Sequence, residues 1–146
     1  EAFADQINRG FGLEFDVNFT SDGNIIIFHD AGLNRITNGQ DQRLFSQMSI
    51  SEIKKIKLAN GSLCDFDELL ELIKFGEGKI SALHLKSKFQ ETKYLDILIN
   101  QLRKYPEVIK KLIILGHDFK EISNKFNVSK DTIYKIKKEK IWKHII

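Results

Sequence analysis

Three side chains near the start of the sequence have the types and spacing for chemistry: Glu14, Asp16 and His29. Glu14 and Asp16 lie in a run, residues 13–19, that alternates Leu13, Phe15, Val17 and Phe19 with Glu14, Asp16 and Asn18. Period-two alternation is the pattern of a strand, so the two carboxylates leave one face and the apolar side chains the other. Carboxylates so close together repel one another unless positive charge lies between them. A hard divalent cation such as Ca2+ or Mg2+ is one solution, because such ions take oxygen ligands. A solvated strand face with ordinary polar alternation is the other. His29 adds an imidazole that titrates near neutrality and can give or take a proton. It ends a second apolar run, residues 25–28, and strand ends are where α/β barrels carry their catalytic groups. A structural histidine is the plainer alternative there.

The elements that must position these groups can be read outward from them. Ala2, Phe3, Ala4 and Ile7 follow helical spacing up to Gly10 and Gly12, so a helix precedes the first strand. Thr20-Ser21-Asp22-Gly23 is a turn joining the two strands in a hairpin-like connection. Residues 31–47 lack periodicity, contain Asn38-Gly39 and read as a long loop. Ser49, Ser51 and Glu52 ahead of Ile53 and Ile56 predict a short capped helix. Asp65 or Asp67 caps a longer one through Leu69, Leu70, Leu72 and Ile73 to Phe75, closed by Gly76 and Gly78. Residues 79–85 read as a strand, and residues 92–104 as an amphipathic helix with Leu95, Leu98, Ile99 and Leu102 inward. Alternating strands and helices predict an α/β architecture with largely parallel pairing and at most four strands.

Hydrophobic residues form 42% of the 146 and charged residues 29%, a globular composition rather than a disordered one. No apolar run approaches the roughly 20 residues of a bilayer-spanning helix. The single cysteine, Cys64, excludes an intramolecular disulfide and reads as a small buried hydrophobe. Nothing in cysteine usage points to an oxidising compartment, so a cytoplasmic location is expected. The chain opens at Glu1 within a helical pattern, and the expectation is that the true N-terminus lies upstream. The net charge of +3 is uneven: residues 104–146 carry 11 lysines against five acids, while residues 1–103 carry a net −3. That asymmetry predicts two parts, 1–103 and 104–146, with different partners.

The stretches Gly12-Leu13-Glu14-Phe15-Asp16-Val17, Thr20-Ser21-Asp22-Gly23 and Phe28-His29-Asp30-Ala31-Gly32-Leu33-Asn34-Arg35-Ile36-Thr37-Asn38-Gly39 resemble the glycerophosphodiester phosphodiesterase family. That family's motifs run E-x-D-V, T-x-D-G and H-D-x-x-L-x-R-T-T-N-G in the same order and spacing. Weaker likenesses at Met48–Ile53 and Asp65–Leu70 extend the resemblance over roughly residues 1–100. It implies a TIM barrel, here partial, with its site at the C-terminal face of the strands. It implies too that Glu14 and Asp16 bind a divalent metal and that His29 is one of two proton-handling histidines. The reaction implied is metal-dependent hydrolysis of glycerophosphodiesters to glycerol 3-phosphate and an alcohol. The metal would offset charge on the phosphodiester oxygens while an imidazole protonates the departing alkoxide.

Three departures accompany the resemblance. The family's other histidine, in an H-R-G motif whose arginine meets the phosphate, belongs upstream of this sequence. The family's I-E-x-K strand here reads Ala82-Leu83-His84-Leu85-Lys86, so Lys86 is kept as a substrate-binding residue while His84 replaces the third metal ligand, Glu. Neutral imidazole suits Ca2+ and Mg2+ poorly, so either the metal preference has moved towards a transition metal or activity is impaired. Finally, a TIM barrel takes about 250 residues. An open half-barrel leaves strand edges to be covered, by a homo-oligomer or by a preceding strand.

Residues 106–146 admit two readings. In one, residues 112–115 form a further barrel strand. In the other, Val108, Ile109, Leu112 and Ile113 follow helical spacing into a helix-turn-helix, with Phe119, Ile122 and Phe126 on its second helix and Ser129 capping its third. The segment 120–144 resembles small helix-turn-helix modules. That resemblance implies Ser129, Lys130, Thr132, Tyr134 and Lys135 near the bases of duplex DNA, and Lys137, Lys138, Lys140 and Lys143 near phosphates. The charge of this part favours the second reading. The sequence thus predicts a phosphodiesterase-type α/β half-barrel, with a basic, DNA-facing helical segment as the alternative source of function.

Overall fold

The computed structural model describes residues 2–58, 61–76, 79–86, 89 and 91–116. Helix α1 (Ala2–Asn8) leads through a turn at Gly10 into strand β1 (Glu14–Phe19). Gly12, just before the strand, has no room for a side chain: a Cβ there would meet the Ile80 carbonyl oxygen at 2.1 Å. Strand β1 changes partner halfway along. Its first half pairs in parallel with β4 (Ser81–His84), setting Glu14 opposite Ala82 and Asp16 opposite His84. Its second half pairs antiparallel with β2 (Ile25–Ile27), setting Val17 opposite Ile27. The reversal between β1 and β2 is closed by Gly23 at φ 76°, a conformation glycine adopts without steric cost. Thr20 accepts through its hydroxyl oxygen from the Asn24 N–H at 2.9 Å and completes the turn.

Beyond β2 the chain makes a loop closed by the pairing of Gly32 with Leu44, then a 3-10 turn at Phe45–Gln47 and helix α2 (Ile50–Lys54). Ser49 caps α2 in a reciprocal box with Glu52. A two-residue strand β3 (Cys64–Asp65) pairs with β2, and α3 (Phe66–Phe75) starts directly from it, capped by Asp65. After β4 come α4 (Thr92–Leu102), the short α5 (Pro106–Ile109) and β5 (Leu112–Leu115), which pairs in parallel with β4 along its whole length. The sheet order is β3-β2-β1-β4-β5.

Side-chain polarity follows the pleat of β1, while both of its faces are buried beyond Glu14. Phe15, Val17 and Phe19 of β1, with Leu83 and Leu85, face a core completed by Leu69, Leu70 and Ile73 of α3 and by Leu95, Leu98 and Leu102 of α4. Rings of Phe19, Phe89 and Tyr94 meet at 4.8–5.1 Å within it. A second cluster, Ile26, Leu33, Phe45, Met48, Ile53 and Leu63, packs the loop and α2 against the other side of β2. Glu14, Asp16 and Asn18, on the face of β1 opposite Phe15 and Val17, are turned away from the helices.

The α/β half-barrel expected from the sequence is present, with three corrections. The sheet is mixed rather than largely parallel, because the Thr20–Gly23 reversal is too short for anything but an antiparallel return. There are five strands among the described residues rather than at most four, β3 being too short to show a period. Residues 112–115 are a strand, so the helix that holds Val108 and Ile109 ends there and does not run on through Leu112 and Ile113: pairing with β4 decides what an unbroken apolar run leaves open. Ser129, Lys130, Thr132, Tyr134 and Lys135, and with them the rest of the helix-turn-helix reading, lie outside the described residues. Cys64 is half-buried, its thiol 3.3 Å from the Asp65 carbonyl oxygen.

Candidate active site

The parallel part of the sheet ends, in register, at Asp16, His84 and Leu115. That line is the C-terminal edge at which barrel proteins gather their polar groups. Residues 14 and 16 of β1 and 84 and 86 of the β4 segment share one sheet face by alternation. Their side chains converge. One ligand atom each from Glu14, Asp16 and His84 lies within 4.8 Å of the other two. Asp16 is 9% exposed, His84 half-buried and Glu14 open to solvent.

Within the cluster, His84 Nδ1 lies 2.8 Å from Asp16 Oδ1. A carboxylate oxygen accepts, so Nδ1–H is the donor in this contact. The Lys86 ammonium is 3.7 Å from the same Asp16 oxygen and offsets part of its charge. Two carboxylates and one imidazole nitrogen form a donor set that fits a divalent cation, with the nitrogen tilting it towards transition metals.

His29 reaches this edge by the hairpin. The Phe28 N–H donates to the Asp16 carbonyl oxygen at 3.1 Å, which brings the returning chain back level with Asp16. The His29 side chain is 74% exposed, and its Nδ1 lies 2.8 Å from Asp30 Oδ1. Arg35 donates through Nε to the other Asp30 oxygen. Arg35 first and His29 second hold the Asp30 carboxyl down at about 2, so it is ionised at neutral pH and accepts from His29 Nδ1–H. The imidazole is thereby oriented with Nε2 outward. Lys86 Nζ donates to the His29 carbonyl oxygen. This contact ties the histidine's backbone to the Asp16 cluster.

The structure therefore brings Glu14, Asp16, His84 and Lys86 together, and joins His29 to them through its own backbone. The roles of Asp30, Arg35 and Asn18 were not read from the sequence. Asp30 and Arg35 stand in the quoted His29–Gly39 motif, and the His-Asp adjacency was the available signal. Asn18 gave none beyond its place on the polar face.

Parallel strands backed by helices, with acidic and imidazole groups collected at the strands' C-terminal ends, define a protein of the α/β-barrel class. The family model described as glycerophosphoryl diester phosphodiesterase family matches residues 1–143, and the chain belongs to that family. A curated relative, a glycerophosphodiester phosphodiesterase of Caldanaerobacter subterraneus subsp. tengcongensis, is 30% identical over 128 residues, covering 80% of this chain and 46% of the relative. The crystal structure of the Thermotoga maritima glycerophosphodiester phosphodiesterase aligns with a TM-score of 0.65 at 27% identity, over 86% of this chain and 50% of that one. An Oleispira antarctica phosphodiesterase, solved in complex with the product sn-glycerol-3-phosphate, shares the fold with a TM-score of 0.62 at 23% identity, over 79% of this chain and 49% of that one. The chain spans about half the length of the relatives it matches. No helix among the described residues is long and apolar enough to cross a membrane.

Proposed function

We propose that this chain carries the metal-binding part of a glycerophosphodiester phosphodiesterase site, acting on glycerophosphodiesters to give glycerol 3-phosphate and an alcohol. The observation that carries the reading is the convergence of Glu14, Asp16 and His84 within 4.8 Å at the C-terminal edge of the parallel strands, in a chain of this family. In hydrolysis the oxygen of water replaces the alcohol on phosphorus, and the alcohol departs with a proton. A bound divalent cation would offset negative charge on the phosphoryl oxygens. Glu14, Asp16 and His84 would hold it. His29, its Nδ1–H held by Asp30, turns Nε2 outward, and as the imidazolium it would give its Nε2 proton to the departing oxygen. Lys86 adds positive charge on the same edge and stands as the substrate-binding residue, while its bond to the His29 carbonyl keeps the two groups in step.

His84 shapes the metal preference. Ca2+ and Mg2+ favour an all-oxygen set, whereas Mn2+, Co2+ and Zn2+ accept imidazole readily. The test is release of glycerol 3-phosphate from glycerophosphocholine by metal-stripped protein given Ca2+, Mg2+, Mn2+ or Co2+. Activity should return best with Mn2+ or Co2+, and His84→Glu should move the preference towards Ca2+ and Mg2+. No release with any ion would sink the reading; release with an unchanged preference after His84→Glu would remove His84 from the metal site.

A further inference from the structure

We infer that Asn18 is a positioning residue that holds the backbone of His29 in place, an inference that rests on reading His29 as the proton-transfer group. Asn18 lies two residues beyond Asp16 on the same face of β1 and is 1% exposed. Its side-chain amide donates to the Phe28 carbonyl oxygen at 2.6 Å and to the Asp30 carbonyl oxygen at 2.9 Å. Those are the carbonyls on either side of His29. Both amide hydrogens are thus committed, and a flipped amide would set oxygen against two oxygens, so the orientation is fixed by its partners. The carbonyl between them, that of His29 itself, is taken by Lys86.

Three successive carbonyls are therefore held by side chains at the point where the chain leaves β2. A strand end at the surface can satisfy its carbonyls with water. Here a buried carboxamide does it, and at a cost: Asn18 Oδ1 is buried with no hydrogen-bond partner among the described residues. An unmet buried acceptor is destabilising. A polar group kept at net expense in a core position is explained by what its amide grips. The grip matters because the His29 side chain is largely solvent-exposed among the described residues. Its position depends on the Asp30 bond at the ring and on the backbone beneath. Serine or threonine, with one donor, would hold one carbonyl and release the other.

The test uses Asn18→Leu, which keeps the volume and removes both donors, and Asn18→Ser, which is smaller. Backbone 15N relaxation at His29 and Asp30 reads the clamp without reference to activity. Both amides should fall from order parameters of about 0.85 to below about 0.6 in Asn18→Leu, and by less in Asn18→Ser, which keeps one donor. For glycerophosphocholine, kcat should drop about 10- to 100-fold, the scale of a misplaced catalytic group, with KM changed less than about two-fold. Asn18→Leu should add no further loss to His29→Ala. Unaltered order at His29 and Asp30, an unchanged kcat, or losses that simply add to that of His29→Ala would overturn the inference, as would failure of both variants to fold, which would make Asn18 a core residue only. Absence of hydrolysis in the unsubstituted protein would sink the functional reading instead, and the relaxation data would still decide the clamp.

Discussion

Asp30 serves two neighbours through its two oxygens, accepting from Arg35 at one and from His29 at the other. Both lower its pKa, with the Arg35 bond the larger cause, to about 2. Arg35→Gln should therefore raise the Asp30 pKa towards its ordinary value of 3.8, the His29 bond keeping it somewhat below. A carboxyl-carbon NMR titration of Asp30 would read this directly, and an unmoved titration would remove Arg35 as the cause. The sign for folding follows. A depressed carboxyl adds stability above the unfolded value of 3.8 and loses it as pH falls through about 2, so Arg35→Gln should bring that loss to higher pH. At neutrality Asp30 is ionised in either protein, so any change in turnover there reflects the placement of His29. This scale was partly legible in the sequence. Alternation put Glu14 and Asp16 on one face, the end of the second apolar run offered His29, and motif resemblance added His84 and Lys86. The clamps did not show, because Asn18 and Lys86 act on backbone carbonyls and a carbonyl leaves no mark in the residue pattern.

Among the elements, the junction of β3 and α3 concentrates the most local structure in one side chain. Asp65 ends β3 opposite Ile26 and accepts from the Glu68 N–H at 2.8 Å, while Glu68 accepts in return from the Asp65 N–H at 3.0 Å. It also pairs with Lys54 of α2. Loss of such a cap costs about 1 kcal/mol, within a range of about 0.5–2. Asp65→Ala should lose that much in urea unfolding, and Asp65→Asn, which can still cap, should keep most of it. An equal loss in both would assign the effect to the Lys54 pair instead. Caps are also why α2 and α3 could be read ahead of the structure: Ser49 and Glu52 announce the first, and Asp65 or Asp67 the second, the box with Glu68 deciding for Asp65. The strands were less legible where pairing is tertiary. Leu112–Leu115 has four apolar residues in succession and no period, so only its ladder with β4 separates strand from helix. Cys64 and Asp65 are two residues, too few for any pattern, and take their strand geometry from β2.

Across the whole molecule, the groups displaced on the alkaline side push in one direction. Burial, foremost, lifts the Cys64 thiol to about 11 from an ordinary 9.0. Burial, and then its bond to Asp67, lifts the Tyr105 phenol to about 12 from 10.0. Lys54 is raised by its bond to Asp65. These groups sit at different places on the helical layer: Cys64 at its entry, Lys54 across from Asp65, Tyr105 ahead of α5. A raised pKa in the folded state means that the folded chain keeps a proton the unfolded chain has released. Stability is then full below the unfolded value and falls as pH rises towards the folded one. The window opens near pH 9, where an unfolded Cys64 ionises, and continues beyond pH 10 as Tyr105 joins. The thermal midpoint should hold steady from pH 7 to 8.5 and decline steadily above pH 9. Cys64→Ala should flatten the first part of that decline, and Tyr105→Phe the part above pH 10. A midpoint independent of pH between 8 and 11 would show that neither the Cys64 thiol nor the Tyr105 phenol keeps its proton longer in the folded chain than in the unfolded one. The same burial predicts slow alkylation of Cys64 at pH 8 in the folded protein, since the thiolate is the reacting form, and rapid alkylation once urea has opened the helical layer.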